Sequence, residues 1–217
     1  MLIENGSKLV MIGDSVTDFG RARPLGEGLL DGIGKSYVGL VDALLNVTYP
    51  DCHIRVINMG TSGDNIRDLK ARWQTDALDL KPDWLSILIG INDVWRQFDT
   101  PFITEGHVPL EEYRSTLEEL VESVLPNVKG LVLMTPFFME PNRQDPMRAQ
   151  MDRYGEAVKE IARKHGTYLV DLQAMFDEFF KHRYSASITW DRIHPNILGH
   201  MAIAREFLNT IGFEWRS

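Results

Sequence analysis

The sequence predicts an α/β fold: a three-layer, doubly wound arrangement around a five-stranded parallel sheet. Two observations predict it. Short apolar runs alternate with longer segments of helical period, which implies crossover connections between parallel strands. Polar, glycine-bearing segments also follow the first three apolar runs, where ligands of such sheets bind, outside the carboxyl ends of the strands.

Each element has its own signal. Leu9–Ile12 reads as the first strand and Tyr37–Leu45 as a helix, with Val38, Val41, Leu44 and Leu45 on one face. Ile54–Ile57 is the second strand, and Ile66–Leu80 carries Ile66, Leu69, Trp73 and Leu78 at roughly helical spacing. Trp84–Ile89, introduced by Pro82-Asp83, is the third strand. Leu110–Leu125 is a helix with Leu117, Leu120, Val121 and Val124 together. Leu131–Met134 is the fourth strand, Met147–Lys164 a helix and Tyr168–Val170 the fifth strand. A last helix runs from about Asn196 to Ile211, opened by Pro195. The segments Arg23–Gly34 and Asp99–Pro109 read as loops at the same sheet edge and candidate pocket walls.

Composition bounds the function. The 217 residues, 44% hydrophobic and 25% charged, suit a single domain, 1–217. A net charge of −8 argues against nucleic acid or an anionic membrane as partner, since both select a basic face. The lone Cys52 allows no internal disulfide, and Met1–Ser7 has neither the basic nor the apolar part of a signal peptide. A cytoplasmic protein with no membrane span is expected.

Four segments carry chemistry. In Gly13-Asp14-Ser15, Ser15 is the candidate nucleophile, a weak one without a base in reach. In Asp191-Arg192-Ile193-His194, His194 is the candidate base. Asp191, three residues earlier, is placed to orient it by accepting from Nδ1–H. Gly63 and Asn92, with the Ser15 backbone N–H, are candidate donors for an oxyanion. Alone, each segment also reads blandly: Asp14 or Ser15 capping the next segment, Asp191 capping the last helix, Gly63 and Asn92 in ordinary turns. Convergence of all four on one sheet edge favours acyl transfer. Of six histidines only His194 has this setting; His200, on the last helix, reads as structural.

As a set, Gly-Asp-Ser-x-Thr-Asp at 13–18, the glycine at 63, Gly-x-Asn-Asp at 90–93 and Asp-x-x-His-Pro at 191–195 resemble the blocks of the SGNH, or GDSL, hydrolases in the family's order. The resemblance implies a flavodoxin-like α/β/α fold and a Ser-His-Asp hydrolase with Ser15, His194 and Asp191 as triad and Gly63 and Asn92 as oxyanion donors. No Gly-x-Ser-x-Gly elbow occurs, which disfavours the ordinary α/β-hydrolase fold. Gly20–Pro24, Asp93–Arg96, Met134–Phe137 and the tail Phe213–Trp215 are similar to bacterial intracellular acetyl xylan esterases of this superfamily. That likeness implies an acetylated sugar, xylo-oligosaccharide above all, as substrate and a homo-oligomer as assembly. Trp95, Tyr184 and Trp190 are candidate sugar contacts through their aromatic faces. Arg21 and Arg23 are expected to pair with Asp18 or Asp93.

No metal or cofactor is expected. Other short-chain esters or a thioester stay open as substrates. So do two other classes: a metal-dependent phosphoesterase using Asp14, Asn92, Asp191, His194 and His200, and a carbohydrate-binding module without turnover.

Overall fold

A computed structural model describes residues 1–215. Five strands, β1 (Lys8–Gly13), β2 (Arg55–Gly60), β3 (Trp84–Leu88), β4 (Gly130–Met134) and β5 (Tyr168–Val170), form one parallel sheet in the order β2-β1-β3-β4-β5. β3 and β4 are buried along their whole length, as parallel strands covered on both faces must be. β5 is an edge strand and only Val170 is buried, which explains its brevity.

The helices are α1 (Ser15–Asp18), α2 (Tyr37–Thr48), α3 (Ile66–Ala71), α4 (Ile91–Asp99), α5 (Leu110–Val124), α6 (Pro146–His165), α7 (Leu172–Phe179) and α8 (Ile197–Thr210). α2 packs on α8 and α8 on α7, while α3 packs on α5, α5 on α6 and α4 on α6. Local chemistry marks their ends. Asp145 caps α6 through the Met147 and Arg148 N–H groups, Pro146 opens it and Gly166 closes it at φ +65°.

The elements expected from periodicity are present, with ends shifted by a few residues. Three departures have physical causes. The segment Ile66–Leu80 is not one helix: α3 stops at Ala71, and a π-helical stretch, Gln74–Leu78, follows. The break turns Arg72 inward, where its side chain bonds the Gly13 and Met59 carbonyls. The last helix is capped by Asn196, whose Oδ1 accepts from Leu198 N and Gly199 N, so neither Pro195 nor Asp191 opens it. Three helices follow strands without having been read from the sequence: the single turn α1 after β1, α4 after β3, and α7, capped by Asp171, after β5.

β1, β2 and β3 are neighbours, with β1 between the others, and their carboxyl ends lie in register: Gly13 pairs with Gly60 on one side and Leu88 on the other. The segments bearing Ser15, Gly63 and Asn92 therefore leave the sheet side by side, at the point where strand order reverses.

Candidate active site

Gly13 ends β1 because nothing larger fits: a Cβ there would stand 2.2 Å from the Leu88 carbonyl oxygen and 2.5 Å from Thr17 Oγ1. Asp14 caps the single turn of α1, Oδ1 accepting from Val16 N at 3.0 Å, and this sets Ser15 at the first helical position. Ser15 is half-buried, and its Oγ lies 2.8 Å from Nε2 of His194.

His194 comes from the loop before α8. Its Nδ1 lies 2.6 Å from Asp191 Oδ2, and Oδ1 of the same carboxylate accepts from Ile193 N at 2.9 Å, His194 N at 2.8 Å and Thr189 Oγ1 at 3.2 Å. The expected capping role of Asp191 is thus exercised on its own loop. Burial pushes the Asp191 carboxyl up, but the bonds from the His194 ring and the two backbone N–H groups outweigh it and hold the group below its ordinary value. A carboxylate that stays ionised accepts from Nδ1–H, which leaves the Nε2 lone pair facing Ser15.

Asn92 lies in the first turn of α4, buried. Its Nδ2 donates one hydrogen to the Asp64 carbonyl at 2.9 Å, its Oδ1 faces Arg96 Nη2 at 3.4 Å, and the second amide hydrogen meets no acceptor among the described residues. Gly63 holds φ +92°, which L side chains rarely adopt, and its backbone N–H donates to no described residue. The Ser15 N–H is likewise uncommitted among the described residues. Three N–H donors at one sheet edge beside a hydroxyl and a base suit a carbonyl that becomes an oxyanion.

Beneath them lie two acids that the sequence reading had not singled out as a pair. Asp14 and Asp93, the neighbours of Ser15 and Asn92, are fully buried, each with one carboxyl oxygen that meets no described partner. Asp93 Oδ1 accepts from Ile66 N at 3.0 Å. Burial pushes both pKa values up to about 7; Asp64 adds to the rise at Asp14, and Asp14 to that at Asp93. The signal available was an acid next to each functional residue at the end of a buried strand.

The aromatic candidates are spread out. Trp95 meets the His194 ring edge-on, centroids 6.0 Å apart, under the Arg96 guanidinium. Trp190, 88% exposed, rims a cavity of about 360 Å³ with Phe19, Ile188, Thr189 and His194. Tyr184 lines the adjoining cavity, which shares Trp190 but not His194. Arg23 pairs with Asp18 at 2.8 Å, as expected; the Arg21 side chain instead donates to the carbonyls of Gly60, Ala22 and Pro24.

Of the groups weighed as metal ligands, His200 Nδ1 accepts from Tyr37 N at 3.1 Å, His194 is held between Asp191 and Ser15, and Asn92 spends a hydrogen on Asp64, while Asp14 Oδ2 and His200 Nε2 meet no described partner.

A family model described as GDSL-like lipase/acylhydrolase matches residues 11–202. The chain belongs to this family. It is a carboxylic ester hydrolase of the serine type, with the α/β fold of the SGNH hydrolases. Among family members, an acetylxylan esterase of Geobacillus stearothermophilus is 56% identical over 215 residues, 99% of this chain and 98% of that one. The crystal structure of Axe2, an acetylxylan esterase from the same organism, superposes with a TM-score of 0.98 at 55% identity and covers 100% of this chain and 99% of that chain. Structures of Axe2 carrying S15A, D191A and H194A are described as catalytic mutants of that enzyme. LAE5, an alpha/beta hydrolase enzyme from the metagenome of Lake Arreo, Spain, superposes with a TM-score of 0.95 at 51% identity, over 98% of both chains.

Proposed function

We propose that this family member removes acetyl groups from acetylated sugars, short acetylated xylo-oligosaccharides above all, through an acetyl-enzyme on Ser15, with residues 1–217 working as one hydrolase domain. The hydrogen-bonded chain from Ser15 Oγ through His194 to Asp191 carries this reading. The 56% identity to an acetylxylan esterase and the catalytic mutants of Axe2 at these three positions support it.

The steps follow from the donors and acceptors. His194 Nε2 takes the Ser15 proton as Oγ bonds to the acetyl carbonyl carbon. The carbonyl oxygen becomes an anion and accepts from the Ser15 and Gly63 N–H groups and from Asn92 Nδ2. His194 then gives its proton to the sugar oxygen, the C–O bond breaks and the sugar leaves. Water, losing a proton to His194, attacks the acetyl-enzyme, and acetate departs as Ser15 recovers its proton. The exposed Trp190 beside the His194 cavity offers a face to a sugar ring, with Trp95 and Tyr184 as further contacts.

Two further readings accompany this one. A cytoplasmic location is supported by the single unpaired cysteine. Association of several copies is supported by the exposed Leu29, Leu30, Phe102 and Trp190. In the tail, Phe213 is buried edge-on against Tyr49, while Trp215, whose Nε1 donates to Asn209 of the same chain, keeps an exposed face. Light scattering should give a multiple of 24.8 kDa; a mass at that value rejects the oligomer.

Hydrolysis of acetylated xylobiose, acetylated glucose and an acetyl thioester, read as acetate, and of p-nitrophenyl butyrate, read as p-nitrophenol, tests the assignment. The xylobiose ester should give the highest kcat/KM. Preference for the butyrate or the thioester would move the enzyme to another short-chain ester class. Unchanged turnover in Ser15→Ala would remove the acetyl-enzyme.

A further inference from the structure

The three donors assigned to the oxyanion stand on three separate stretches of chain, after β1, after β2 and at the start of α4. Hydrogen-bond donors stabilise a developing charge only when their positions are set beforehand. One side chain outside the triad and the donor set ties all three stretches. Arg72, directly after α3, is 16% exposed. Its Nη2 donates to the Gly13 carbonyl at 2.9 Å, two residues before Ser15. Its Nη1 donates to the Met59 carbonyl at 2.8 Å, one residue before the end of β2, and to Asp76 at 3.0 Å. Its Nε donates to Asp64 Oδ2 at 2.6 Å, and Asp64 is the residue that follows Gly63 and whose carbonyl holds Asn92.

The circuit closes on itself. Thr61 N donates to the same Gly13 carbonyl at 2.9 Å, and Asp64 N donates to the Thr61 carbonyl at 3.2 Å. A planar guanidinium presents five donors in a fixed fork, so it can hold acceptors in several directions without rotating; an ammonium on a flexible stem cannot.

We propose that Arg72 is the positioning residue of the oxyanion site, its guanidinium binding the segments that carry Ser15, Gly63 and Asn92 into one rigid unit. It touches no reacting atom and acts through the Gly13 carbonyl and Asp64. Loss of the fork frees the donors to move by tenths of an ångström, which costs transition-state binding more than ground-state binding. The inference rests on the esterase reading above, and its test separates the two: failure of that reading shows in the parent enzyme and in Ser15→Ala, failure of this one only in the Arg72 series.

The experiment measures kcat and KM on p-nitrophenyl acetate, per active site titrated with an organophosphonate, for Arg72→Lys, Asn92→Ala and the double variant. Arg72→Lys should lose about 10- to 100-fold in kcat with KM within about 3-fold. In the Asn92→Ala background the same change should cost less than it does in the parent, because one of the three donors it positions is gone. A purely structural Arg72 would lower thermal stability, leave kcat per titrated site at the parent value and keep its effects additive. Parental kcat in Arg72→Lys, or its full penalty persisting without Asn92, overturns the proposal. Should Arg72→Lys not fold, Asp64→Asn loosens the same anchor while keeping the carbonyl that holds Asn92; it should lower kcat in the same way, and parental kcat there overturns the proposal too.

Discussion

Asp191 grips His194 twice, accepting from ring Nδ1 at 2.6 Å and from the backbone N–H at 2.8 Å. The two bonds fix both the ring and the peptide that carries it. Asp191→Asn should keep the backbone contact through its amide oxygen but present an N–H to Nδ1, favouring the wrong tautomer. A loss of about 10³- to 10⁴-fold in kcat is expected, with thermal stability near the parent's. Steady-state kinetics beside a melting curve checks it; a loss below about 10-fold would show that the carboxylate does not set the tautomer.

Asn92→Ala should lower kcat by about 10²- to 10³-fold while KM stays close to the parent value, the signature of a donor used only as charge develops. Kinetics on a neutral acetate ester reads the split. An effect confined to KM would place Asn92 in substrate binding instead.

Stability should respond to pH through Asp14 and Asp93. Their carboxyls, pushed up to about 7 by burial, keep their protons in the folded protein after the unfolded chain has lost them. Between about pH 4 and 7 the folded state therefore holds more protons, and rising pH destabilises it through these groups. Asp93→Asn should remove one such contribution, so that urea unfolding of the variant falls less steeply with pH than that of the parent across this window. Identical slopes would mean that Asp93 is ionised when buried.

His200 works in the opposite direction. Burial, with His194 adding, lowers its pKa to about 4, so the folded protein keeps it neutral where the unfolded chain is protonated. Its contribution is fully present above about pH 6.5 and is lost as pH falls towards 4. Because Nδ1 also accepts the Tyr37 N–H at the start of α2, His200→Leu should cost about 1–3 kcal/mol near neutral pH and less on acidification. Urea unfolding at pH 7.5 and pH 5 makes the comparison; an equal cost at both would assign the loss to packing alone.

The strands and long helices were legible because hydrophobic period reports burial, and Leu9–Ile12 or Leu110–Leu125 has one face or two to bury and no competing demand. Ile66–Leu80 misled because Arg72 has to reach the Gly13 and Met59 carbonyls, a demand that no periodicity records. α4 was hidden by the functional meaning of its own first turn, since Asn92-Asp93 reads equally well as a turn. The convergence of Ser15, His194 and Asp191 into one hydrogen-bonded chain was legible because acyl transfer restricts residue types tightly, and a serine, a histidine and a carboxylate have few substitutes there. The positioning shell was not: an arginine, a threonine amide and two carbonyls become informative only when the chain brings them within 3 Å.

Ser15 opens a helix of only four residues, and four peptide units align too few dipoles to project an appreciable field. α1 therefore adds little at the reacting carbonyl, and the electrostatic work falls on N–H groups within contact range, Asn92 among them at the N-terminal turn of α4, where mobile ions barely intervene. Turnover of an uncharged ester should be nearly flat from low to high ionic strength, unlike that of an enzyme that leans on a long helix pointed at its substrate.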